Sequence, residues 1–219
     1  MKYFDGEYYH LYNRGAHKEK IFFADENYLY LLSLMTANAK RFRTSIAAYC
    51  FMPNHFHLAV RQEEGGSISK CVQITFNVYT QAVNKQKKLS ETLFQGKTQA
   101  RHIDSDTYIL QVIRYIHLNP VTAGFVKRPE DWEFSDYRDW VSGTTFRRFP
   151  EFRQREPLEG FSRFIFPSLS STLPSSFDVS IRSSQAFVYC RHLTALPSNP
   201  SICLLILLPI THLPPYPMD

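Results

Sequence analysis

Two histidines separated by one residue lie in the apolar stretch from Tyr49 to Val60, which reads YCFMPNHFHLAV. Successive side chains of a β-strand point to opposite faces, so His55 and His57 project from the same face. A strand can in this way present two imidazole ligands to one metal ion. The alternative is a pair of surface histidines on the solvent face of a half-buried strand, and the pair taken alone favours that alternative.

A tyrosine and an asparagine four residues apart occur in the later stretch RYIHLNPV. On a helix this spacing places Tyr115 and Asn119 on one face, a turn apart. A phenolic hydroxyl can act as a nucleophile, and an amide oxygen is a hard ligand suited to Mg²⁺ or Mn²⁺. With the two imidazoles, this set could polarise a phosphate and direct the phenol at a phosphodiester. His117 lies two positions from Tyr115, on a different face, and is a poor third ligand.

Each of these residues also has a plainer interpretation. Tyr115 lies among apolar neighbours and is, taken singly, more typical of a core aromatic residue. Asn119 precedes Pro120, so it can simply mark the end of the helix. The combination of the four side chains, rather than any one of them, indicates a site.

Charge is distributed unevenly along the 219 residues. Residues 1–150 contain 20 Lys and Arg against 15 Asp and Glu, whereas residues 151–219 contain 5 of each. A modest basic excess together with many aromatic residues suits a nucleic-acid partner, because cations contact phosphates and rings stack on bases. The four cysteines form no Cys-X-X-Cys pair, so neither a zinc knuckle nor a disulfide framework is indicated.

The elements that must position these residues follow from periodicity and from turn signals. Alternation predicts strands, and apolar residues at helical spacing predict helices between them. The aromatic segment from Trp132 to Trp140 is expected to form a turn and a short helix that close over the core. The predicted order is a strand at 6–15, a helix at 25–43, strands at 45–51 and 55–61, a helix at 68–87, a strand in the second half of 93–104 and a helix at 105–120.

This order predicts an α+β fold of the ferredoxin-like, split βαβ kind, with an antiparallel sheet and helices packed on one face. Residues 1–150 are expected to form the catalytic domain. Residues 151–219 are expected to form an irregular, poorly structured C-terminal tail, since residues 167–219 contain only four charged residues but ten serines and eight prolines. That segment can also be an extension read from a shifted frame.

Four segments in this order carry a resemblance to a known family. They are YHLYNRG near the start, MPNHFHLAV, ARHIDSD and RYIHLNPVTAGFV. The chain thereby resembles the REP-associated tyrosine transposases, which belong to the HUH single-tyrosine transposases of the insertion-sequence type. The resemblance covers roughly residues 6–140.

The resemblance implies a role for each residue of the set. Tyr115 would be the nucleophile, His55 and His57 the metal-binding pair and Asn119 the third ligand of Mg²⁺ or Mn²⁺. The implied activity is cleavage and strand transfer of hairpin-bearing single-stranded DNA through a 5′-phosphotyrosine link. We expect the basic residues that contact the DNA to be Arg14, Lys85, Lys87, Lys88, Arg101 and Arg114.

Two other functions stay open at the level of sequence. An inactive or domesticated relative would only bind structured nucleic acid through the same basic surface. A histidine-based nucleotide hydrolase would need a further histidine two residues after His57, where Ala59 stands.

Cytoplasmic location is expected, because the longest apolar run, at 202–210, is far shorter than the roughly 20 residues of a membrane span. A homodimer is possible.

Overall fold

The computed structural model describes residues 1–88 and 92–143, and the C-terminal tail expected at 151–219 lies outside them. Within this part the predicted order of elements is confirmed. The strands are β1 (Tyr8–Arg14), β2 (Thr44–Met52), β3 (His55–Gln62) and β4 (Gln99–Ile103). The helices are α1 (Asp25–Arg41), α2 (Ile68–Lys87), α3 (Asp106–Thr122) and α4 (Tyr137–Val141).

The four strands form one antiparallel sheet in the order β2, β3, β1, β4. Strands β2 and β3 form a tight hairpin with Pro53 and Asn54 at its turn. Strand β1 then inserts between β3 and β4, so His57 lies opposite Tyr12 on one side and opposite Cys50 on the other. The α+β class and the antiparallel sheet expected from the sequence are therefore confirmed.

One face of the sheet carries the larger apolar core. Leu11, Phe56 and Leu58 are fully buried on this face. Helix α2 packs against it, since the rings of Phe56 and Phe76 stack with their centroids 4.5 Å apart. Helix α1 pairs with α2 in the same layer and contributes the buried Leu31. Burial of one such side chain stabilises the fold by about 2 kcal/mol.

The opposite face is covered by helix α3, and here the arrangement differs from the expected single helix layer. The ring of Tyr115 on α3 contacts that of His57, which projects from the face opposite to Phe56. Residues Val112, Ile113 and Ile116 of α3 are fully buried. Because both faces of β2 and β3 are buried, the sheet needs cover on each side, and the alternation of the strands did not indicate which helix goes where.

Helix α3 has clear signals at both ends. Ser105 precedes its first turn, and the Ser105 hydroxyl accepts a hydrogen bond from the backbone N–H of Tyr108. The helix continues past Pro120 to Thr122, two residues beyond the predicted end. It stops before Gly124, whose φ of 74° is a left-handed conformation that favours glycine.

The aromatic segment after α3 lies along the outer edge of β2. The indole N–H of Trp132 donates to the carbonyl of Phe51, and that of Trp140 donates to the carbonyl of Ala47, each at 3.0 Å. Trp140 is fully buried and Tyr137 nearly so, which confirms that the segment closes over the core. It also satisfies backbone groups at an edge that would otherwise be open.

Candidate active site

Strand β3 presents both histidines on the face that α3 covers. The rings of His55 and His57 lie 5.2 Å apart, nearly perpendicular to each other. His57 is fully buried, whereas His55 is half-buried at the end of the strand next to the hairpin turn. The same-face projection expected from the spacing is therefore confirmed.

Helix α3 brings Tyr115 and Asn119 onto this pair. The ring of Tyr115 lies edge-on to that of His57, with centroids 5.2 Å apart. Asn119, one helical turn later, places its side-chain oxygen 3.3 Å from Nε2 of His55. The structure thus assembles all four side chains of the predicted set at one place, although two of them are about 60 residues from the others in sequence.

The amide of Asn119 has a defined orientation. Its nitrogen donates to the backbone carbonyl of Tyr115 at 3.1 Å, which turns its oxygen toward His55. The Asn119 side chain also forms a hydrogen bond with the hydroxyl group of Tyr115. One amide therefore links a proposed ligand with the proposed nucleophile.

His55 lies between two amide oxygens. The side-chain oxygen of Asn54 is 2.8 Å from Nδ1 of His55, and the Asn54 nitrogen is oriented by donating to the carbonyl of Lys18. A neutral imidazole has one N–H and can donate to only one of the two oxygens. Burial lowers the pKa of His55, and the hydrogen bond that the doubly protonated ring would donate to Asn119 only partly opposes that shift, so the doubly protonated ring is disfavoured.

The shorter contact, to Asn54, takes the single hydrogen. Nε2 of His55 and the oxygen of Asn119 then face each other as two electron-pair donors 3.3 Å apart. Neighbouring ligand atoms of an octahedral Mg²⁺ ion lie at a similar separation, about 3 Å, because each is about 2.1 Å from the ion. This convergence of two acceptors fits a bound cation.

His57 offers a further electron pair close by, since its ring centroid lies 5.2 Å from that of His55. Its Nδ1 lies 3.0 Å from Nε2 of His10, while its Nε2 is buried and makes no hydrogen bond within residues 1–88 and 92–143. Burial, followed by the nearby His10 and His55, holds the pKa of His57 well below its ordinary value. The ring is therefore neutral near pH 7, as a metal ligand must be.

The donor set of the site is thus two imidazole nitrogens and one amide oxygen. In the described part of the chain, no three side chains drawn from His, Cys, Asp and Glu alone form a metal-binding group. Asn119 is therefore the side chain beside the two histidines that offers an oxygen ligand. Mg²⁺ and Mn²⁺ fit this mixture of nitrogen and oxygen donors, and water or phosphate oxygens can complete their coordination.

The hydroxyl of Tyr115 is protonated near neutral pH. Burial raises the pKa of Tyr115, and its hydrogen bond with Asn119 only partly opposes this. A nucleophilic phenolate therefore needs a positive charge nearby or a base that accepts its proton.

The predicted DNA-binding residues fall into two groups. Arg14 lies opposite His55 across β1 and β3, and Arg101 lies opposite His10 across β4 and β1, so both are on the face that carries the histidines. Arg114 directly precedes Tyr115 on α3 and is half-buried. The structure does not bring the lysines of α2 to this face, because α2 covers the opposite one. Those exposed lysines are Lys85, Lys87 and Lys88.

Two residues of the site were absent from the predicted set. His10 contacts His57, and Asn54 contacts His55. Asn54 directly precedes His55 in MPNHFHLAV, so it stood within the recognised motif. His10 stood in YHLYNRG, but its contact with His57 depends on the register between β1 and β3, which the spacing within one strand does not reveal.

Comparison with known families identifies the class of protein. Residues 4–119, more than half of the chain, match the family model described as IS200-like transposases. The chain belongs to this family and is a transposase by that membership. The match spans His55, His57, Tyr115 and Asn119, and it confirms the resemblance to insertion-sequence transposases.

A solved structure shares the fold. A REP-associated tyrosine transposase bound to a REP hairpin superposes with a TM-score of 0.58 at 18% sequence identity, over 83% of this chain and 97% of that one. A putative transposase from Deinococcus radiodurans R1 has a TM-score of 0.38 at 19% identity, over 53% of this chain and 95% of that one. No curated protein matches the chain. None of the helices in the described residues is long and apolar enough to cross a membrane.

Proposed function

We propose that this protein nicks and rejoins hairpin-bearing single-stranded DNA through a covalent link to Tyr115. The observation that carries the proposal is the packing of the Tyr115 ring against His57, with Asn119 joining Tyr115 to His55. A protein that only binds nucleic acid has no need to gather a phenol, an amide and two imidazoles. The divalent cofactor would be Mg²⁺ or Mn²⁺, and His55, His57 and Asn119 are the residues that would hold it.

The reaction is two successive transesterifications. The Tyr115 oxygen attacks a backbone phosphorus, the bond from phosphorus to the 3′ oxygen breaks, and that oxygen takes up a proton and leaves as a 3′-OH. The phosphate then joins the tyrosine to the 5′ end of the strand on the 3′ side of the cut. Attack by a 3′-OH on this phosphotyrosine restores a DNA strand and returns the phenol. No ATP is needed, because each step exchanges one phosphoester for another.

The protein's own residues supply position and charge. Asn119 holds the Tyr115 hydroxyl by a hydrogen bond, and Arg14 provides a cation next to His55 for the scissile strand. The bound metal ion would polarise the phosphate and favour the ionised phenol. Since burial raises the pKa of Tyr115, this help is necessary near pH 7.

The proposed substrate is a folded single strand. One solved structural neighbour is bound to a REP hairpin, and Arg14, Arg101 and Arg114 lie on or beside the site in this chain. These arginines are suited to phosphates of a strand that crosses the face of the sheet. One chain contains all four proposed active-site side chains, so the possible homodimer is not required to complete the site.

The test is formation of a covalent adduct. The protein is incubated with a panel of hairpin oligonucleotides, labelled on the 3′ side of the candidate cleavage sites, in Mg²⁺ or Mn²⁺, and separated on a denaturing gel. Wild type should give a labelled protein band that chelator abolishes. Tyr115→Phe should give none, whereas the matched variant Tyr108→Phe on the same helix should retain it.

Two results would contradict the proposal. An adduct that survives Tyr115→Phe removes this residue as the nucleophile. Hairpin binding by wild type without an adduct on any oligonucleotide indicates the inactive, binding-only relative instead.

A further inference from the structure

Strands β1 and β4 present a row of side chains beside helix α3, on the face that carries the histidines. Helix α3 packs on β2 and β3, which form the other half of the sheet. Tyr12 of β1 lies opposite His57 and is half-buried, and Gln99 of the edge strand β4, on its other side, is exposed. Tyr12 is thus an aromatic residue of the site that the proposed reaction does not use.

The ring of Tyr12 borders the same two imidazoles as the ring of Tyr115. Its centroid lies 5.1 Å from that of His10 and 6.1 Å from that of His57. The corresponding distances from the Tyr115 ring are 6.0 Å and 5.2 Å. Burial is the main cause of the raised pKa of Tyr115, and the nearby hydroxyl of Tyr12 adds to it. The two phenols are therefore neighbours in one site.

We propose that Tyr12 is a base-stacking residue, whose ring carries the base of a nucleotide that flanks the scissile phosphate. This inference rests on the proposed cleavage of single-stranded DNA by Tyr115. The ligand is a base of an unpaired strand, because a base within a duplex has both faces covered by its neighbours. A base held beside the nucleophile would fix the adjoining phosphate in front of the Tyr115 oxygen.

The surroundings of Tyr12 favour this function over core packing. A tyrosine of the core has its hydroxyl hydrogen-bonded, as that of Tyr79 donates to the carbonyl of Ile21 at 2.7 Å. Within residues 1–88 and 92–143 the hydroxyl of Tyr12 makes no hydrogen bond, and its side chain is half-buried. The ring stacks on that of His10 with an angle of 30° between the planes. It is therefore held in place while part of its surface stays accessible.

Cationic side chains lie on both sides of Tyr12. Arg14 follows two residues later on the same face of β1, about 7 Å along the strand. Arg101 of β4 lies opposite His10, two residues before Tyr12. An aromatic ring between cations suits an unpaired strand, because the cations contact phosphates while the ring stacks on a base. The phosphates on either side of a base on Tyr12 would each meet an arginine.

Binding measured without cleavage tests the stacking. All proteins carry Tyr115→Phe and are titrated in chelator with hairpin oligonucleotides that have single-stranded flanks, and the oligonucleotide that binds most tightly is used. Tyr12→Leu should raise the Kd by about 5–100-fold, as expected for one stacked base, whereas Tyr12→Phe keeps the ring and should stay near the starting value. Tyr8→Leu is the matched control, since Tyr8 lies on the same face of β1 and Arg61 lies over its ring.

An abasic nucleotide, placed in turn at each position of the flank, locates the base. At a position next to the cleavage site, which the adduct of wild type maps, this change should raise the Kd of the protein with Tyr12 by the same factor of about 5–100. It should leave the Kd of Tyr12→Leu unchanged, because the stacking partner is already absent. Iodouracil at that position should cross-link to Tyr12 of the wild-type protein on irradiation, as mass spectrometry of the peptides will show.

Separate, additive losses for Tyr12→Leu and for the abasic nucleotide at every position would overturn the inference. A loss in Tyr12→Phe as large as in Tyr12→Leu would do the same, since it assigns the effect to the hydroxyl, and so would equal coupling in Tyr8→Leu. If Tyr12→Leu does not fold, cross-links that avoid Tyr12 at every position of the flank refute it.

The outcomes separate this inference from the proposed function. An adduct at Tyr115 together with additive losses removes the stacking and leaves the nicking. Coupling between Tyr12 and one base without any adduct supports the stacking and removes the nicking. Failure of every oligonucleotide to bind would contradict both.

Discussion

The carboxylate of Asp136 is predicted to anchor helix α3 to the sheet. It is almost fully buried and accepts two hydrogen bonds on one oxygen, from the backbone N–H of Tyr49 at 2.8 Å and from Nε2 of His117 at 2.9 Å. Tyr49 belongs to β2, and His117 belongs to α3, two residues from the proposed nucleophile. Asp136 therefore joins the edge strand β2, helix α3 and the segment that follows this helix.

Replacing Asp136 with alanine should lower the free energy of unfolding by about 3 kcal/mol. The change leaves two buried donors without their acceptor, and each such donor costs about 1–3 kcal/mol. Water that enters the space left by the carboxylate accepts some of these hydrogen bonds, so the total loss for the two donors lies in the lower half of its range. For a domain of this size the loss corresponds to a decrease in Tm of about 10 °C. Asp136→Asn keeps an acceptor oxygen and should lose only about 1 kcal/mol.

Urea denaturation followed by circular dichroism measures this loss. The two tryptophans of the chain, Trp132 and Trp140, both lie on the segment around Asp136, so their fluorescence reports whether that segment stays docked. The exposed Asp139, on the short helix α4 that begins directly after Asp136, supplies the control variant Asp139→Ala, which should resemble wild type. A loss below about 0.5 kcal/mol in Asp136→Ala, the range of ordinary surface changes, would refute the reasoning.

Three further predictions concern the site itself. Stability should fall as the pH drops below 6.5, because burial and the nearby Arg101 lower the pKa of His10 to about 3. Between pH 6.5 and pH 3 the unfolded chain binds a proton at His10 that the folded chain does not bind, so His10 lowers the free energy of unfolding by about 2 kcal/mol at pH 5. In His10→Gln this titrating group is absent, so the free energy of unfolding from urea denaturation should decrease by about 2 kcal/mol less between pH 7 and pH 5 than in wild type. Asn119→Ala should weaken Mn²⁺ binding by about 1.4 kcal/mol, which is tenfold in Kd by calorimetry, whereas Asn119→Asp keeps an oxygen ligand and should bind at least as tightly as wild type. Arg14→Ala should weaken binding of a hairpin oligonucleotide and reduce the slope of the logarithm of the association constant against the logarithm of the salt concentration by about 1. Arg41→Ala is the control variant and should keep the wild-type slope, because the exposed Arg41 lies near the other end of the sheet.

Relations within a single element were predictable from the sequence. The one-residue spacing of His55 and His57 determines their common face once the segment is a strand, and the four-residue spacing of Tyr115 and Asn119 does the same on a helix. Both follow from local backbone geometry, with periods of 2 and 3.6 residues, and do not depend on the rest of the chain. The order of elements followed from the same periodicities.

Relations between elements needed the tertiary structure. The lysines of α2 looked as suitable for DNA as Arg14 did, but α2 covers the face away from the histidines. Periodicity alone could not assign α3 to the opposite face, because both helices are amphipathic and both faces of the sheet are buried. The assignment is decided by which surfaces fit together over long separations in sequence.

By itself the sequence determined which side chains share a face, and its motifs indicated the family and the proposed nucleophile and metal ligands. Only the tertiary structure decided that His10 meets Nδ1 of His57, that Asn119 faces Nε2 of His55, and that Asp136 anchors the helix that carries Tyr115. The physical reason is that a hydrogen bond depends on distances of a few tenths of an ångström between particular atoms. Strand register and helix packing set those distances, and both result from the burial of the whole chain rather than from any one segment.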